Sequence, residues 1–358
     1  MFLYIIRPIG IRVKICDYVN QNTAHSRGID LSERTVLEMS VITKAGLLAL
    51  AAVLLLPSAQ TTQAAQPEPL IVIVQKRQDA QERTLRVLRD GSVEEAALDT
   101  YLAQVVLSEM PASFAPEALK AQAVAARTFA CRQTAGGKHE NADVCAQSAC
   151  CQACLTVEDL RARYGDGFEA AWDKALAAVR ETQNEVLTYE GALIDAVYFS
   201  CSGGATEAAV AVWGTDVPYL QSVESPGEEI APRFSSQEIF APAEFSEILR
   251  AENPDVHLTG SPETWVGETA YTEGESVETC VIGGIAFSGT KLRQLFGLNS
   301  ARFTLTLKDG QLVFDVQGFG NRVGMSQYGA ESMARLGFSY RTILLYYYQG
   351  AEIGRYEA

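Results

Sequence analysis

Residues 98–133 read LDTYLAQVVLSEMPASFAPEALKAQAVAARTFACRQ, and this stretch predicts two helices separated by a short break. The first helix should end near Ser108 or Glu109, because Pro111 disfavours helical geometry in the residue before it. The second helix should begin at Pro116, since proline suits the first helical position. The alanines of the second helix recur at helical spacing and allow close packing against other elements.

Outside this stretch, short strands and helices follow one another without a regular order. Strands are predicted at residues 70–74 (LIVIV), 84–96 (a hairpin around Asp90-Gly91), 186–199 (two strands), 282–287, 302–307 and 312–316. Helices are predicted at residues 156–182, 325–336 and 342–348, and loops at residues 136–155 and 251–279. The chain has no repeat and no βαβ alternation, so the predicted fold class is mixed α+β. N-terminal strands over residues 66–96 should precede a main domain over residues 97–358.

Composition and charge disfavour several classes of function. The chain has 358 residues and is 47% hydrophobic, enough for a substantial core. Its 44 acidic and 29 basic residues give a net charge of -15, which would repel nucleic acid phosphates, so nucleic acid is not a predicted partner. Beyond the N-terminal segment the histidines are His139 and His257. A Ser-His-Asp triad or a two-histidine metal hydrolase would need nearly all of that histidine.

Residues 39–65 have the layout of a secretory signal. Lys44 precedes an apolar run over residues 45–56, and the polar stretch that follows ends in Thr62-Gln63-Ala64, a small-residue cleavage site. The apolar run is short for a membrane span. We therefore expect a cleaved signal and export to the extracellular space or the cell wall, with a membrane anchor as the alternative. Residues 1–38 precede a complete signal, so we expect synthesis to start at Met39 and this extension to be untranslated.

Three separated segments stand out: residues 101–128 (YLAQVVLSEMPASFAPEALKAQAVAART), 198–219 (YFSCSGGATEAAVAVWGTDVPY) and 318–334 (GFGNRVGMSQYGAESMA). Together they resemble the hallmark blocks of the stage II sporulation protein D (SpoIID) family. Residues 288–303 fit a fourth, weaker block. The resemblance implies a SpoIID-like catalytic domain over residues 97–358. The implied activity is that of a peptidoglycan lytic transglycosylase, which cuts glycan strands between N-acetylmuramic acid and N-acetylglucosamine and prefers strands stripped of peptides.

A lytic transglycosylase needs one carboxylic acid, whereas ordinary glycosidases need two. The acid protonates the glycosidic oxygen, and its carboxylate then takes a proton from the sugar's own hydroxyl as an anhydro ring closes. Glu109, in Ser-Glu-Met-Pro, matches the family's catalytic position. The C-terminal helix dipole and the neighbouring Met110, Pro111 and Phe114 should raise its pKa. From the residues alone, a surface glutamate at a helix end is the competing interpretation.

The family blocks also contain five candidate substrate-binding residues: Lys120, Arg127, Ser200, Ser202 and Gln327. Lys120 and Arg127 are two helical turns apart on one face. Their position in a family block implies that they face the glycan or hold Glu109, and a plain solvated stripe is the alternative. Ser200, Ser202 and Gln327 are polar groups near glycines, which would let them approach a sugar closely. Turn-stabilising roles are the alternative for the two serines.

The resemblance further implies a structural zinc site. Some family members carry zinc at a His-x5-Cys-x4-His-Cys spacing, and this chain has His139, Cys145, Cys150 and Cys151 at those positions, with Cys150 in place of the second histidine. One histidine and three cysteines form a common closed zinc set. Cys151 and Cys154 also form a CxxC pair, so a disulfide or redox pair remains an alternative, as does a contribution of Cys154 to the metal.

In one block the chain departs from the family pattern. The family usually has Gly-His-Gly-Val-Gly where this chain has Gly320-Asn321-Arg322-Val323-Gly324. We expect these two replacements to affect the reaction rate or the choice of substrate more than the class of enzyme. The predicted function is an exported lytic transglycosylase acting on glycan strands. The first alternative is a non-catalytic wall-binding modifier of an amidase, a role described for relatives of this family, and the second is a disulfide-stapled adhesion module.

Overall fold

The computed structural model describes residues 83–356, which combine helices with small sheets. In chain order they form β1 (Thr84–Arg89), β2 (Ser92–Ala97), α1 (Leu98–Glu109), α2 (Pro116–Gly136), β3 (Val144–Cys145), α3 (Val157–Tyr164), α4 (Phe168–Glu181), β4 (Glu185–Tyr189), β5 (Ala192–Leu193), β6 (Tyr198–Phe199), α5 (Ala209–Trp213), β7 (Ser235–Phe240), α6 (Pro242–Glu252), β8 (Val266–Tyr271), β9 (Val277–Ile282), β10 (Ile285–Ser288), α7 (Gly289–Phe296), β11 (Phe303–Lys308), β12 (Gln311–Gln317), β13 (Met325–Ser326), α8 (Gln327–Arg335), α9 (Tyr340–Tyr347) and β14 (Glu352–Arg355). The mixed α+β fold class is confirmed.

Helix α2 is the centre of the helical region, which we define as residues 83–233 and 318–356. It begins at Pro116 as predicted and ends before Gly137, whose φ of 64° caps the helix in the left-handed conformation. Helices α1, α4, α8 and α9 all pack against it. The six alanines from Ala118 to Ala130 are fully buried, which allows this close approach.

Strands β6 and β13 join two segments that are far apart in sequence. They pair in parallel, with Tyr198 opposite Met325 and Phe199 opposite Ser326. The backbone N–H of Tyr328 also donates to the carbonyl of Ser200 (3.0 Å). The chain therefore leaves the helical region and later returns beside the same strand.

The β-rich region, residues 234–317, lies between those two segments in sequence. It has one three-stranded sheet in the order β11-β12-β7 and another in the order β10-β9-β8. Its core is separate from that of the helical region and is built on aromatic rings. The ring of Phe296 lies 4.9 Å from those of Phe245 and Phe314, measured between centroids.

Two predictions for the β-rich region are wrong. Residues 251–279 are not a loop, because they contain β8 and the start of β9. Strand β8 lies at a sheet edge and is largely exposed, so it lacks the apolar alternation of a half-buried strand. Residues 282–287 are not one strand either. Gly283 and Gly284 have φ values of 56° and 82° and form the tight turn between β9 and β10.

The predictions for residues 1–38, for the export signal and for the strand at residues 70–74 lie outside the described residues. Among the residues that are described, no helix has the length and apolar character needed to cross a bilayer.

Candidate active site

Glu109 is the last residue of α1, and two hydrogen bonds hold its carboxyl group. Oε1 accepts from the backbone N–H of Ala153 (2.9 Å), and Oε2 accepts from Nε2 of Gln327 (3.3 Å). Ala153 belongs to the cysteine-rich loop, and Gln327 is the first residue of α8. Three distant segments of the chain therefore meet at this carboxyl group, and the predicted end of the first helix is confirmed.

The environment of Glu109 favours its protonated form. Burial raises the pKa of Glu109, and the hydrogen bonds from Ala153 and Gln327 lower that pKa by less. The negative end of the α1 dipole acts in the same direction as burial. The carboxyl thus stays protonated at pH values where an exposed glutamate is ionised, which is a property that a general acid needs.

Two cavities meet at Glu109. The first, which we call the Arg163 cavity, has a volume of about 380 Å³, and its lining includes Ser108, Glu109, Arg163, Ser200, Gln327 and Tyr328. The second, the Trp213 cavity, has a volume of about 530 Å³, and its lining includes Glu109, Gln152, Asp195, Tyr198, Trp213 and Asn321. Cavities of this size suit small ligands or parts of a polymer. The carboxyl therefore stands between two adjoining spaces.

A third cavity, of about 890 Å³, lies elsewhere. It opens on the β-rich region beside Tyr271, Arg302 and Asp315. Its volume exceeds that of either cavity at Glu109, but its lining contains neither Glu109 nor any other predicted site residue. The two smaller cavities, which are lined by Glu109, are therefore the candidate active site, and the largest of the three is not.

The structure brings Ser200 and Gln327 together with Glu109. The parallel pairing of β6 with β13 sets these two residues side by side, since each directly follows its strand. Both line the Arg163 cavity. Ser202 is only two residues further on, yet it is fully buried and its Oγ donates to Oε2 of Glu228 (2.8 Å). Its hydroxyl stabilises a turn and does not line either cavity at Glu109.

Lys120 and Arg127 share a helical face as predicted, but that face meets the C-terminal end of α4. Lys120 forms ion pairs with Glu117 (2.9 Å) and Glu181 (2.7 Å). Arg127 is buried and donates to the carbonyls of Val179 and Thr182, each at 2.8 Å. These carbonyls lie at the C-terminal end of α4, where the helix itself supplies no N–H donors. The structure does not bring either side chain to the cavities at Glu109, and their contacts describe a structural role.

A buried polar chain beside Glu109 had no counterpart in the sequence patterns. Tyr101 donates to Oε1 of Gln152 (3.1 Å), and Nε2 of Gln152 donates to the hydroxyl of Tyr198 (2.9 Å). Gln152 thereby ties the cysteine-rich loop to α1 and β6, directly before the residue that donates to Glu109. Gln152 belongs to no sequence motif, so its contacts with Tyr101 and Tyr198 could not be predicted without the fold.

The four predicted metal-binding side chains form one cluster. The ligand atoms of His139, Cys145, Cys150 and Cys151 all lie within 4.8 Å of one another. Nε2 of His139 is 3.3 Å from the sulfur of Cys151 and 3.9 Å from that of Cys150. Spacings of this order fit a tetrahedral ion with three sulfur ligands and one nitrogen ligand. The donor set and its geometry therefore fit zinc.

Cys154 stands apart from this cluster. Its sulfur accepts a hydrogen bond from Nη2 of Arg89 (3.6 Å), and it is buried. None of the seven cysteines in the described residues forms a disulfide. The geometry therefore separates Cys154 from the candidate metal ligands and leaves the CxxC pair unbonded.

The two departures from the family pattern have different surroundings. Asn321 lines the Trp213 cavity, and its Oδ1 accepts from the N–H of Val323 (3.1 Å). Arg322 is wholly buried and points away from the cavities, donating to the carbonyls of Ser202 (2.8 Å) and Ala205 (2.7 Å). Its φ of 67° explains why glycine is usual at this position. The arginine joins backbone segments and does not narrow the site.

The sequence of the chain is similar to those of known proteins. A family model described as stage II sporulation protein matches residues 89–189. Over 271 residues the chain is 40% identical to the stage II sporulation protein D of Bacillus subtilis (strain 168), an alignment that covers 75% of this chain and 77% of that protein. The chain belongs to the stage II sporulation protein D family. The resemblance noted in the sequence is thus confirmed.

Two further relatives extend the range of this family. The stage II sporulation protein D of Bacillus amyloliquefaciens is 39% identical over 266 residues, covering 73% of this chain and 75% of that protein. A protein named amidase enhancer, from Bacillus subtilis (strain 168), is 29% identical over 305 residues, covering 70% of this chain and 40% of that protein. Membership of the SpoIID family indicates a function connected with the cell wall and sporulation.

Proposed function

We propose that this protein is an exported lytic transglycosylase that cleaves peptidoglycan glycan strands between N-acetylmuramic acid and N-acetylglucosamine. The observation that carries the proposal is the position of Glu109, a buried carboxyl between two adjoining cavities. A polymer that occupies both cavities presents the bond between two sugars at that carboxyl. Burial, which raises the pKa of Glu109, supports its use as an acid.

The reaction needs one proton, which Glu109 both gives and takes back. The carboxyl proton moves to the glycosidic oxygen as the bond from that oxygen to the muramoyl anomeric carbon breaks. The carboxylate then removes the proton of a hydroxyl on the same muramoyl sugar, and the oxygen of that hydroxyl bonds to the anomeric carbon. The product has an anhydro-muramyl end, no water is consumed, and Glu109 regains its proton.

The two donors to Glu109 fit this cycle. The N–H of Ala153 and the amide of Gln327 stabilise the carboxylate that exists between the two proton transfers. They also fix the direction of both carboxyl oxygens. A raised pKa and two fixed donors together support a group that changes its protonation state twice in each cycle.

We propose that His139, Cys145, Cys150 and Cys151 hold a structural zinc ion. A closed set of four protein ligands leaves no position for substrate, so zinc would supply stability to the loop rather than chemistry. The same loop carries Gln152 and Ala153, which contact Tyr198 and Glu109. Holding this loop would therefore hold the donor to Glu109.

We also propose that residues 39–65 direct export, since a glycan strand of the wall lies outside the cytoplasm. N-terminal sequencing of the natural protein tests this. A chain beginning at Ala65 or Gln66 is expected after cleavage, whereas a chain beginning at Met39 would indicate a membrane anchor. A peptide from residues 1–38 would contradict the proposed start.

A second carboxyl suggests a different reaction. Asp195 also lines the Trp213 cavity, and Oδ1 of Asp195 is buried without a hydrogen-bond partner in the described residues. A hydrolysing glycosidase would use such a second carboxylate. Digestion of peptide-stripped glycan followed by mass spectrometry separates the two, because anhydro ends are expected from a lytic transglycosylase and reducing ends from a hydrolase. Absence of both products, with stimulation of a wall amidase, would favour a non-catalytic modifier.

A further inference from the structure

The two cavities at Glu109 differ in charge. The Arg163 cavity contains one cation, Arg163, besides Glu109. The Trp213 cavity is lined by one basic side chain, Lys138, and by a second carboxyl, Asp195, besides Glu109. Trp213 adds a flat apolar surface with 44% of its area exposed. The first cavity therefore suits an anion, and the second suits a neutral sugar.

Arg163 is an exposed side chain that lines the same cavity as Glu109 and is bonded to the end of α1. It lies in the last turn of α3, and its Nη1 donates to the carbonyls of Leu107 (3.2 Å) and Ser108 (3.4 Å). Both carbonyls belong to the last turn of α1, which ends at Glu109. The α1 dipole is negative at this end and favours a cation there.

The guanidinium of Arg163 keeps unused donors. It has five N–H groups, and its contacts in the described residues all involve Nη1. No carboxylate within residues 83–356 forms an ion pair with it. Asp159, the acidic residue of the same helix that feels its charge, is held by Thr156 at the helix start. The remaining donors can bind an anion at the cavity.

Peptidoglycan strands offer one anion per muramoyl sugar once the stem peptide has been removed. The lactyl group then ends in a free carboxylate, whereas a stem peptide converts it to a neutral amide. The neighbouring glucosamine carries no charge. Since the whole protein has a net charge of -15, binding such an anionic strand requires a local cation.

We propose that Arg163 binds the lactyl carboxylate of a peptide-stripped muramoyl sugar, with the neighbouring glucosamine in the Trp213 cavity. This rests on the proposed function and adds the direction in which the strand lies across Glu109. Arginine suits this contact because its planar guanidinium can donate two parallel hydrogen bonds to one carboxylate. Arg163 is thereby the residue that distinguishes stripped strands from peptide-bearing ones.

Binding to the Glu109→Gln protein tests the proposal without cleavage. Two ligands are compared: peptide-stripped strands, and the same strands with their lactyl carboxylates converted to methylamides. We expect Arg163→Gln to weaken binding of the first ligand about tenfold, as for loss of a charge-assisted hydrogen bond. Binding of the methylamide should change by less than about twofold, because the interacting charge is already absent. Arg163→Lys should restore part of the lost affinity.

Arg161→Gln is the matched control, because Arg161 lies on the same helix and pairs with Glu169 (2.8 Å). It should not change binding of either ligand. Equal weakening of both ligands by Arg163→Gln, or no weakening of either, would overturn the proposal. If wild-type protein failed to cleave strands but the ligand-dependent loss persisted, the proposed function would fail and the carboxylate contact would stand. Cleavage without the ligand-dependent loss would refute the carboxylate contact and leave the proposed function intact.

Discussion

The helical region and the β-rich region each have their own core, but they differ in what they contribute. The helical region carries Glu109, its two hydrogen-bond donors and both adjoining cavities. The family model also matches inside it, at residues 89–189. The β-rich region is inserted between β6 and β13 and lines neither cavity. The candidate active site therefore lies in the helical region alone, while the β-rich region is a second folded unit with its own core.

The joint between the two regions is polar and buried. Arg322 donates to Ser276 Oγ (2.5 Å) and also to the carbonyl of Gly274, while holding two carbonyls of the helical region. Thr272 Oγ1 donates to Oε2 of Glu207 (2.7 Å). Burial lowers the pKa of Arg322 to about 10, and Glu207 opposes this change. The arginine that departs from the family pattern thus stabilises the contact between regions.

The largest expected effect is on catalysis and comes from the helical region. Glu109→Gln should reduce the cleavage rate about 10²- to 10⁴-fold, because general acid catalysis is typically worth that much. Thermal stability should be equal or higher, because the change removes a group whose ionisation burial opposes. Glu268→Gln, an exposed change on β8 of the β-rich region, is the control and should leave the rate unchanged. Near wild-type cleavage by Glu109→Gln would contradict the assignment of the catalytic group to the helical region.

The next effect concerns the joint. Arg322→Gly should lower the free energy of unfolding by roughly 2–4 kcal/mol, because it removes the cation 3.9 Å from the buried carboxylate of Glu207 and the hydrogen bonds to Ser276 and Gly274, although glycine relieves the positive φ. Denaturant unfolding measures this. Arg341→Ala removes an ion pair between half-exposed Arg341 and Glu185, which keeps its hydrogen bond from Tyr340, and should cost far less. Equal effects of the two changes would show that Arg322 does not hold the regions together.

Metal removal should lower the melting temperature, because all four proposed ligands lie in the helical region and hold one of its loops. Purified protein should contain about one zinc per chain, since four ligands bind one ion. Cys150→Ser should lose the metal, whereas Cys154→Ser should keep it, because the sulfur of Cys154 contacts Arg89 instead. Elemental analysis and thermal melting test this. Metal-free protein with Cys145 and Cys150 in disulfides would contradict the proposal.

The smallest expected effect is a shift in pH dependence. Gln327 lowers the pKa of Glu109 by donating to its carboxylate, so Gln327→Met should raise that pKa. Because the protonated form acts first, the rate falls as pH rises through the pKa, and the alkaline limb should move to higher pH. Gln317→Met in the β-rich region is the control. An unmoved limb in Gln327→Met would mean that this amide does not tune Glu109.

The same two regions differ in how well their sequence predicts their structure. In the helical region, Pro111 and Pro116 mark the helix ends, and the spacing of His139 and Cys145 anticipates a cluster. In the β-rich region, β8 has no apolar alternation, and the turn at Gly283 interrupts an apolar run. Local patterns fail there because β8 is an exposed edge strand without an apolar face, and because an unbroken apolar run does not reveal the tight turn inside it.

The site was predictable only in part, because its contacts join residues that are distant in sequence. Glu109 and Gln327 belong to motifs, but their contact joins the end of α1 to the start of α8, which lie far apart in sequence. Arg163 and Asp195 lie in no motif at all. The family block implies that Arg127 faces the glycan or holds Glu109, with a solvated stripe as the alternative, whereas its guanidinium donates to carbonyls at the end of α4. Motifs name residue types, and only the fold decides what each side chain contacts.

In the proposed reaction, Glu109 closes an anhydro ring without water. Digestion of peptide-stripped strands in water labelled with oxygen-18, followed by mass spectrometry, reports directly on the source of the new oxygen bond. We expect anhydro-muramyl ends that carry no label and that disappear with Glu109→Gln. Reducing ends that carry one labelled oxygen would show that water attacks the sugar and that the proposed reaction is wrong.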